Sequence, residues 1–183
     1  MSRPIPGPGV LLRFRSDRRG VALVEFALIF PMLILLYFGG YELCRITATY
    51  RKLTDTTVEV ANVTAQYNSV GATDVATIFA ATSQIMAPYS TSSLGMVLSE
   101  VTTDANSNAT VTWSQAYNGA TALVAGSAVT MPTGLAAPSS NYILVQSSYT
   151  YTPTVGTAFI ASVPLSASIY IIPRNSPSIP YTG

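Results

Sequence analysis

The stretch 18-RRGVALVEFALIFPMLILLYFGGYEL-43 decides how the rest of the chain is arranged. It starts with two arginines and a glycine and continues as an apolar run, in which residues 26–41 carry no charge. At 1.5 Å per helical residue this segment spans about 24 Å, and the adjoining turns at Glu25 and Glu42 extend it towards the ~30 Å of a bilayer core. The sequence therefore predicts one membrane-spanning helix over residues 21–43.

Charge is distributed unevenly on the two sides of this run. Residues 1–20 contain five arginines and one aspartate, whereas residues 53–183 contain one arginine and five carboxylates. By the positive-inside rule, the N-terminus is predicted to stay in the cytoplasm and the remainder to cross the membrane. Arg45, Arg51 and Lys52 lie beyond the run and weaken this orientation without reversing it.

The composition narrows the classes of function. Of the 183 residues, 49% are hydrophobic and only 9% are charged, with a net charge of +1; an average soluble domain has roughly 25% charged residues. Histidine is absent, which removes the usual general base and the commonest transition-metal ligand. The single cysteine, Cys44, excludes an intrachain disulfide and is expected to be packed. We expect a membrane-attached structural protein that is not an enzyme and has no cofactor, no metal site and no nucleic-acid partner.

The start of the apolar run has a distinctive arrangement. A basic leader ends at Gly20, the helix begins at once, and Glu25 is its fifth residue. The run continues past Tyr41 without the small-residue site of a secretory signal peptide, so the helix is predicted to be retained. A charge near the end of an apolar helix persists more readily when it finds a cation. A free amine created at Val21 would supply that cation, within the chain or on a neighbouring subunit.

At this junction the sequence resembles bacterial type IV prepilins, and more closely the TadE-like minor pilins (pseudopilins) of tight-adherence pilus systems. The residues that carry the resemblance are Arg18-Arg19-Gly20, Val24-Glu25-Phe26-Ala27-Leu28, Pro31, the leucine-rich run to Tyr37, Gly40-Tyr41-Glu42-Leu43 and, more weakly, residues 142–174.

The resemblance implies a set of functional residues. A membrane-embedded aspartyl prepilin peptidase would cut after Gly20, removing the leader 1–20 with the charges of Arg18 and Arg19 and leaving Val21 as the new N-terminus. Glu25 is expected to pair with the terminal amine of an adjacent subunit. The residues expected to act in assembly are Glu25, Phe26, Pro31 and Glu42, and those expected to form the membrane anchor are Leu28, Ile29, Leu33, Leu35 and Leu36.

The implied function is that of a minor pilin or pseudopilin that acts in pilus assembly or priming, and hence in surface adhesion. Its implied partners are other major and minor pilin subunits, the prepilin peptidase, the inner-membrane assembly platform and the lipid bilayer. The implied location is the bacterial inner membrane, single-pass, with a periplasmic C-terminal domain that is incorporated into an extracellular pilus. The alternative is an uncleaved, signal-anchored periplasmic adhesin or carbohydrate-binding module, in which Gly20 is incidental and Glu25 reaches the headgroups.

Beyond the membrane, the helix is expected to continue over residues 44–70 as an amphipathic segment. Its apolar stripe is predicted to pack on the domain that follows. The stripe has a 3-4 spacing and consists of Leu43, Ile46, Tyr50, Leu53, Thr57, Val60, Thr64 and Tyr67.

Residues 71–175 are predicted to form a small α+β domain. A second short helix is expected to begin at Thr73 and Asp74 and to stop before Pro88. An antiparallel sheet of about four strands is expected to have one covered face; its strands are Leu94–Thr103, Ala109–Gln115, Tyr142–Thr152 and Leu165–Ile172. We expect Ala109, Val111 and Trp113 to share one face, residues 118–141 to form a long surface loop, and residues 176–183 to form a flexible tail.

Three local features have competing interpretations. Asp104, Asn106 and Asn108 resemble part of a calcium loop, but the required glycine and closing glutamate are absent, which favours a hairpin turn. The Tyr149/Tyr151 pair and Trp113 could stack on sugars, although packing within the sheet is the default. Pro31 removes one helical hydrogen bond, and both a functional kink and a harmless bend are open.

Overall fold

The computed structural model describes residues 19–155 and 161–183. Residues 1–18, including Arg18 of the leader, lie outside the described residues. The chain divides into two compact units between Leu43 and Cys44. The helices are α1 (Arg19–Thr64) and α2 (Ala72–Met86), and the strands are β1 (Leu94–Thr103), β2 (Ala109–Tyr117), β3 (Ala128–Val129), β4 (Asn141–Tyr151) and β5 (Val163–Ile171). A long N-terminal helix, a second short helix and an antiparallel sheet confirm the predicted α+β class.

Helix α1 is a single helix of 46 residues with Pro31 in its interior. It ends at Thr64 rather than near residue 70. Two short-range bonds close its last turn, from the Gln66 N–H to the Val63 carbonyl and from the Tyr67 N–H to the Thr64 carbonyl. Such three-residue bonds satisfy carbonyls that a helix end leaves without partners.

Within the second unit, α1 packs through a stripe in which threonines replace large apolar residues. Thr49, Thr56, Thr57 and Thr64 are all buried. Each hydroxyl donates to the carbonyl four residues earlier, at 2.7–2.9 Å, so burial leaves no hydroxyl unsatisfied. The Thr57 hydroxyl also lies 2.5 Å from that of Ser147 on β4, which joins the helix to the sheet.

The predicted stripe is confirmed in part. Leu53, Thr57, Val60 and Thr64 are buried, whereas Leu43 and Tyr50 are exposed. The buried face of α1 is therefore rotated from the predicted stripe towards Thr49 and Thr56. These threonines can be buried because each hydroxyl bonds a carbonyl of its own helix and leaves no polar group unsatisfied.

Helix α2 begins one residue earlier than Thr73. Gly71 is its N-cap residue, and its backbone N–H donates to Oδ2 of Asp74, at 2.9 Å. Asp74 therefore stabilises the first turn both by this bond and by its negative charge near the positive end of the helix dipole. The helix ends at Met86, as the position of Pro88 predicts. Its buried side chains are Val75, Ile78, Phe79, Thr82 and Met86.

The sheet has five antiparallel strands in the order β3-β2-β1-β4-β5. One face forms the main core with both helices. This core contains Leu53, Val60, Ile78 and Phe79 from the helices and Leu94, Met96, Leu98, Ile143 and Val145 from the central strands.

The opposite face of the sheet is covered in part, so the expectation of a single covered face is wrong there. On β4 and β5, Gln146, Ser148, Ser166 and Ser168 of this face are exposed. The segment 118–141 supplies the two-residue strand β3 and folds back over this face. Its side chains Leu123, Val129 and Met131 pack against a buried cluster of Val101, Ala109 and Leu144. The central strand β1 is consequently buried along nearly its whole length.

A bulge in β2 divides its buried residues between the two faces. Trp113 pairs with Glu100, whereas Val111 pairs with the next residue of β1, Val101. The residue between Val111 and Trp113 is therefore an extra residue in β2 with no partner in β1. An extra residue breaks the alternation of a strand. Trp113 therefore belongs to the core beneath the helices, and Ala109 belongs to the cluster on the opposite face. The expectation that residues 109, 111 and 113 share a face is wrong for this reason.

Residues 176–183, expected to be a flexible tail, lie against the domain and are called here the C-terminal strap. The Val70 N–H donates to the Pro180 carbonyl at 3.0 Å, and the Thr182 N–H donates to the Val70 carbonyl at 2.9 Å. These bonds form a parallel bridge between Val70 and Tyr181. Ile179 is fully buried in the main core, so the strap forms part of the packed structure.

The strap is held by a buried carboxylate. Glu100 on β1 is only 1% exposed. Its Oε1 accepts the Ile179 N–H at 2.7 Å, and its Oε2 accepts the Trp113 Nε1–H at 3.1 Å. Trp113 Nε1 also donates to the Ile179 carbonyl at 2.7 Å. Glu100 and Trp113 thus satisfy both backbone polar groups of Ile179.

The turn between β1 and β2 supports the hairpin interpretation of Asp104. Its Oδ1 accepts the backbone N–H groups of Asn106 and Asn108, and its Oδ2 accepts the Asn108 side-chain amide, each at 2.8 Å. The carboxylate is therefore already engaged by the turn itself. The side-chain bond from Asn108 and the two backbone bonds hold the pKa of Asp104 below its usual 3.8.

The depressed pKa of Asp104 predicts a pH-dependent contribution to stability. A group with a lowered folded pKa stabilises the fold above its unfolded pKa, and this stabilisation is lost as the pH falls through the folded value. We expect Asp104→Asn in the full chain in detergent to lower the urea midpoint at pH 7, and the difference from the parent chain to shrink below about pH 3.8. Chemical unfolding from pH 7 to pH 2.5 measures this difference. A gap that stays constant over the range would show that the charge of Asp104 contributes nothing.

Candidate membrane and assembly helix

The N-terminal part of α1 exposes apolar side chains on every face. From Val21 to Tyr41, fifteen large apolar side chains are exposed, and Leu28 and Leu36 reach 72% and 76%. The exposed set consists of Val21, Leu23, Val24, Phe26, Leu28, Ile29, Phe30, Met32, Leu33, Ile34, Leu35, Leu36, Tyr37, Phe38 and Tyr41. A helix that is apolar all round is stable only when lipid or other helices cover it.

The size of this apolar surface shows that the helix is not stable while it is exposed to water. Burying one large apolar side chain contributes about 1.5–3 kcal/mol, so fifteen of them amount to tens of kcal/mol. This greatly exceeds the stability of a typical domain, about 5–15 kcal/mol. Among the described residues, α1 is the one helix long and apolar enough to cross a membrane. The single N-terminal apolar helix therefore fits a single-pass membrane anchor.

The cleavage junction predicted from the sequence lies at the start of this helix. Gly20 and Val21 are both helical and exposed, and Glu25 is exposed one turn after Val21. Four residues of helix correspond to a rise of about 6 Å, so Val21 and Glu25 lie on the same side of the helix. An exposed carboxylate at this level is open to a group on another molecule.

The residues expected to form the anchor are all exposed: Leu28, Ile29, Leu33, Leu35 and Leu36. Phe26 contacts Phe30 one turn later, with ring centroids 5.1 Å apart. Pro31 follows this aromatic pair directly. Its missing N–H leaves the carbonyl of Ala27 without its usual helical partner.

Glu42 differs from Glu25 in its surroundings. Glu42 is only 2% exposed, although Tyr41 and Leu43 on either side of it are exposed. Glu42 also takes part in an interaction within the chain. Of the two glutamates in the apolar run, only Glu25 is presented on the surface.

The aromatic residues considered as a sugar platform lie in the core. Trp113, Tyr149 and Tyr151 are all buried and belong to the cluster beneath the helices. The default interpretation, packing within the sheet, is therefore supported.

Sequence reasoning missed the most constrained polar group in the domain, Glu100. Its one signal was a single carboxylate in the otherwise uncharged run Leu94–Thr103. The alternation there is too irregular to assign Glu100 to a buried face.

Comparison with known proteins gives a family match that lies within α1. Residues 20–62 match the family described as TadE-like protein. No curated protein and no solved structure matches the chain. The family match begins at Gly20 and ends within the last turn of α1. The TadE-like resemblance is therefore confirmed over the length of this helix.

Proposed function

We propose that this chain is a minor pilin-like subunit of a tight-adherence type IV pilus, acting in pilus assembly or priming. It is cleaved after Gly20 by a prepilin peptidase and held in the inner membrane by residues 21–43. From there the subunit passes into a pilus, where neighbouring pilin helices replace lipid around α1. Its activity is structural.

The observation that carries this proposal is the exposed apolar surface between Val21 and Tyr41. Lipid tails and apolar pilin helices are equivalent environments for such side chains, so transfer between them exposes little apolar surface to water. A purely hydrophobic interface is non-directional and does not fix how far one helix lies along another. A directional polar contact is needed to set that position.

Glu25 supplies the directional contact in this proposal. After cleavage, the Val21 amine of one subunit pairs with the exposed Glu25 carboxylate of the next. A charge-assisted hydrogen bond of this kind is strong where water is excluded. Glu42 is buried within the chain, so we assign the intermolecular role to Glu25 and an internal packing role to Glu42.

The charge distribution supports the orientation. The leader contains five arginines and one aspartate, and such clusters stay on the cytoplasmic side of a membrane. Residues 44–183 then lie in the periplasm. The partners in this scheme are the bilayer, the prepilin peptidase, the assembly platform, and other major and minor pilins.

The cleavage step gives the first test of the proposal. When the chain is co-expressed with a prepilin peptidase, we expect its N-terminus to be Val21. A bulky side chain at the scissile glycine obstructs a protease site, so Gly20→Leu is expected to retain the leader. Intact-mass and N-terminal peptide mass spectrometry measure both results.

A matched control is available within the leader. Gly9→Leu makes the same change eleven residues before the junction and should leave processing intact. Recovery of the parent chain with Met1 as its sole N-terminus, in the presence of active peptidase, would refute the proposal. That result would support the alternative, an uncleaved anchored ectodomain.

A further inference from the structure

A polar cavity lies in the second unit beside the first turns of α1 that follow the apolar run. Its volume is about 360 Å³, within the range of roughly 300–1,000 Å³ typical of small-molecule sites. Arg45 lines it together with Ser90, Ser92, Ser93 and Thr150. No carboxylate lines this cavity among the described residues.

The lining combines three kinds of group. Arg45 supplies the positive charge. The Ser90 and Ser93 hydroxyls already donate within the chain, to Ser92 Oγ at 3.0 Å and to the Thr150 carbonyl at 3.1 Å, so the Ser92 and Thr150 hydroxyls are the ones that can donate to a ligand. The tyrosines Tyr89, Tyr149 and Tyr151 also line the cavity. A guanidinium has five N–H donors, so Arg45 can serve both a contact within the chain and a ligand. Guanidinium and hydroxyl donors around a site without carboxylates favour a phosphate ester.

The position of Arg45 in the sequence indicates where such an ester would come from. Arg45 is the second residue after Leu43, where the predicted membrane span ends, which is about 3 Å along a helix axis. Arg51 and Lys52 follow within two turns, and Glu42 before them is buried. Basic residues directly beyond a span attract anionic lipid headgroups, and tyrosines are enriched at the same level of a membrane.

We propose that this cavity, centred on Arg45 and the Ser92 and Thr150 hydroxyls, binds the phosphate headgroup of an anionic phospholipid. The bound lipid holds the domain against the membrane surface before the subunit is transferred. This inference rests on the proposed function only in that residues 21–43 span a membrane. It does not depend on cleavage or on the pairing of Glu25.

The test is lipid binding to the full chain purified in a neutral detergent. Native mass spectrometry during titration with phosphatidylglycerol, and separately with phosphatidylcholine, gives the bound fraction for each lipid. We expect tighter binding of phosphatidylglycerol, and about fivefold weaker binding of it after Arg45→Gln, since one basic residue contributes about 1 kcal/mol at an anionic membrane surface. Binding of phosphatidylcholine should not change.

Arg51→Gln is the matched control. Arg51 is exposed on the same helix and does not line the cavity, so its loss should leave phosphatidylglycerol binding nearly unchanged. Because Arg45 is partly buried, a second variant avoids its contacts within the chain. Ser92→Asp places a negative charge at the exposed rim and should weaken phosphatidylglycerol binding, whereas Ser83→Asp on α2, away from the cavity, should not.

Three outcomes would overturn the proposal. The first is equal affinity for the two lipids in the parent chain, and the second is an equal loss in Arg45→Gln and Arg51→Gln. The third is displacement of the lipid by glycerol 3-phosphate at comparable concentration, which would identify a free phosphate ester as the ligand. Repeating the titration with Gly20→Leu separates the lipid-binding hypothesis from the cleavage hypothesis. A failure of cleavage leaves lipid binding intact, and a failure of lipid binding leaves cleavage intact.

Discussion

Replacing Glu25 by glutamine is expected to lower the amount of this chain recovered with assembled pili, or with its partner subunits, by about tenfold or more. The side chain keeps its size and its exposure but loses the charge that would pair with the Val21 amine of a neighbour. A hydrogen bond to a charged group contributes about 1.5–3 kcal/mol, and each 1.4 kcal/mol changes an equilibrium about tenfold. Quantitative immunoblotting of sheared pili and of affinity-purified complexes measures this ratio.

Glu59→Gln is the control for Glu25. Glu59 is also an exposed glutamate on α1, but it lies beyond the apolar segment, so its neutralisation should not change recovery. Mass spectrometry must show that both variants begin at Val21, which separates assembly from processing. If Glu25→Gln is recovered with pili as well as the parent chain is, the amine–carboxylate pairing is wrong, even if cleavage occurs.

The largest expected effect on stability comes from Glu100. Glu100→Ala removes the acceptor of the buried Ile179 N–H and one of the two acceptors of Trp113 Nε1. A buried donor without a partner costs about 1–3 kcal/mol, and deleting a buried side chain adds a cavity cost. We expect the variant to be destabilised by about 3–5 kcal/mol. Trp113 is the only tryptophan in the sequence, so its fluorescence during urea unfolding reports on this site directly.

A second change separates the role of Glu100 in holding the strap from a general packing role. Deleting residues 176–183 removes Ile179, the principal partner of Glu100. If Glu100 acts through the strap, the double variant should be much more stable than the sum of the two single effects predicts. Additive effects would contradict this role. Glu59→Ala, at an exposed position, should change the stability by no more than about 0.5 kcal/mol.

The helices and most strand positions follow from local sequence. The apolar run, the Asp74 cap and the proline at residue 88 place α1 and α2, and the β-rich segments place β1, β2, β4 and β5 to within two residues at each end. These features depend on nearest neighbours and on side-chain periodicity, which a sequence displays directly. The candidate site on α1 could be predicted for the same reason, because uncovered apolar residues on every face of one helix are visible in the sequence itself.

The errors occur where distant segments meet. Leu43 and Tyr50 were expected in the buried stripe, but the sheet accepts the compact threonines of α1 instead. The bulge in β2 depends on its register against β1, which is a pairing between strands. The residues next to each feature in the sequence do not predict it. The buried face of α1 depends on the sheet that packs against it, and the bulge in β2 depends on its pairing with β1.

The amino-acid sequence by itself determined the long apolar helix with Glu25 one turn beyond Val21, the presence of a second helix before Pro88, and the α+β class, since each depends on residues close together in the chain. Only the tertiary structure decided that residues 176–183 are held as a strap, that Glu100 and Trp113 hold it, and that residues 118–141 cover part of the second face of the sheet. These features join residues up to 112 positions apart, as in the contact between Val70 and Thr182. The physical reason is that a weakly apolar segment rich in serine and proline becomes ordered only when a buried polar group elsewhere satisfies its backbone.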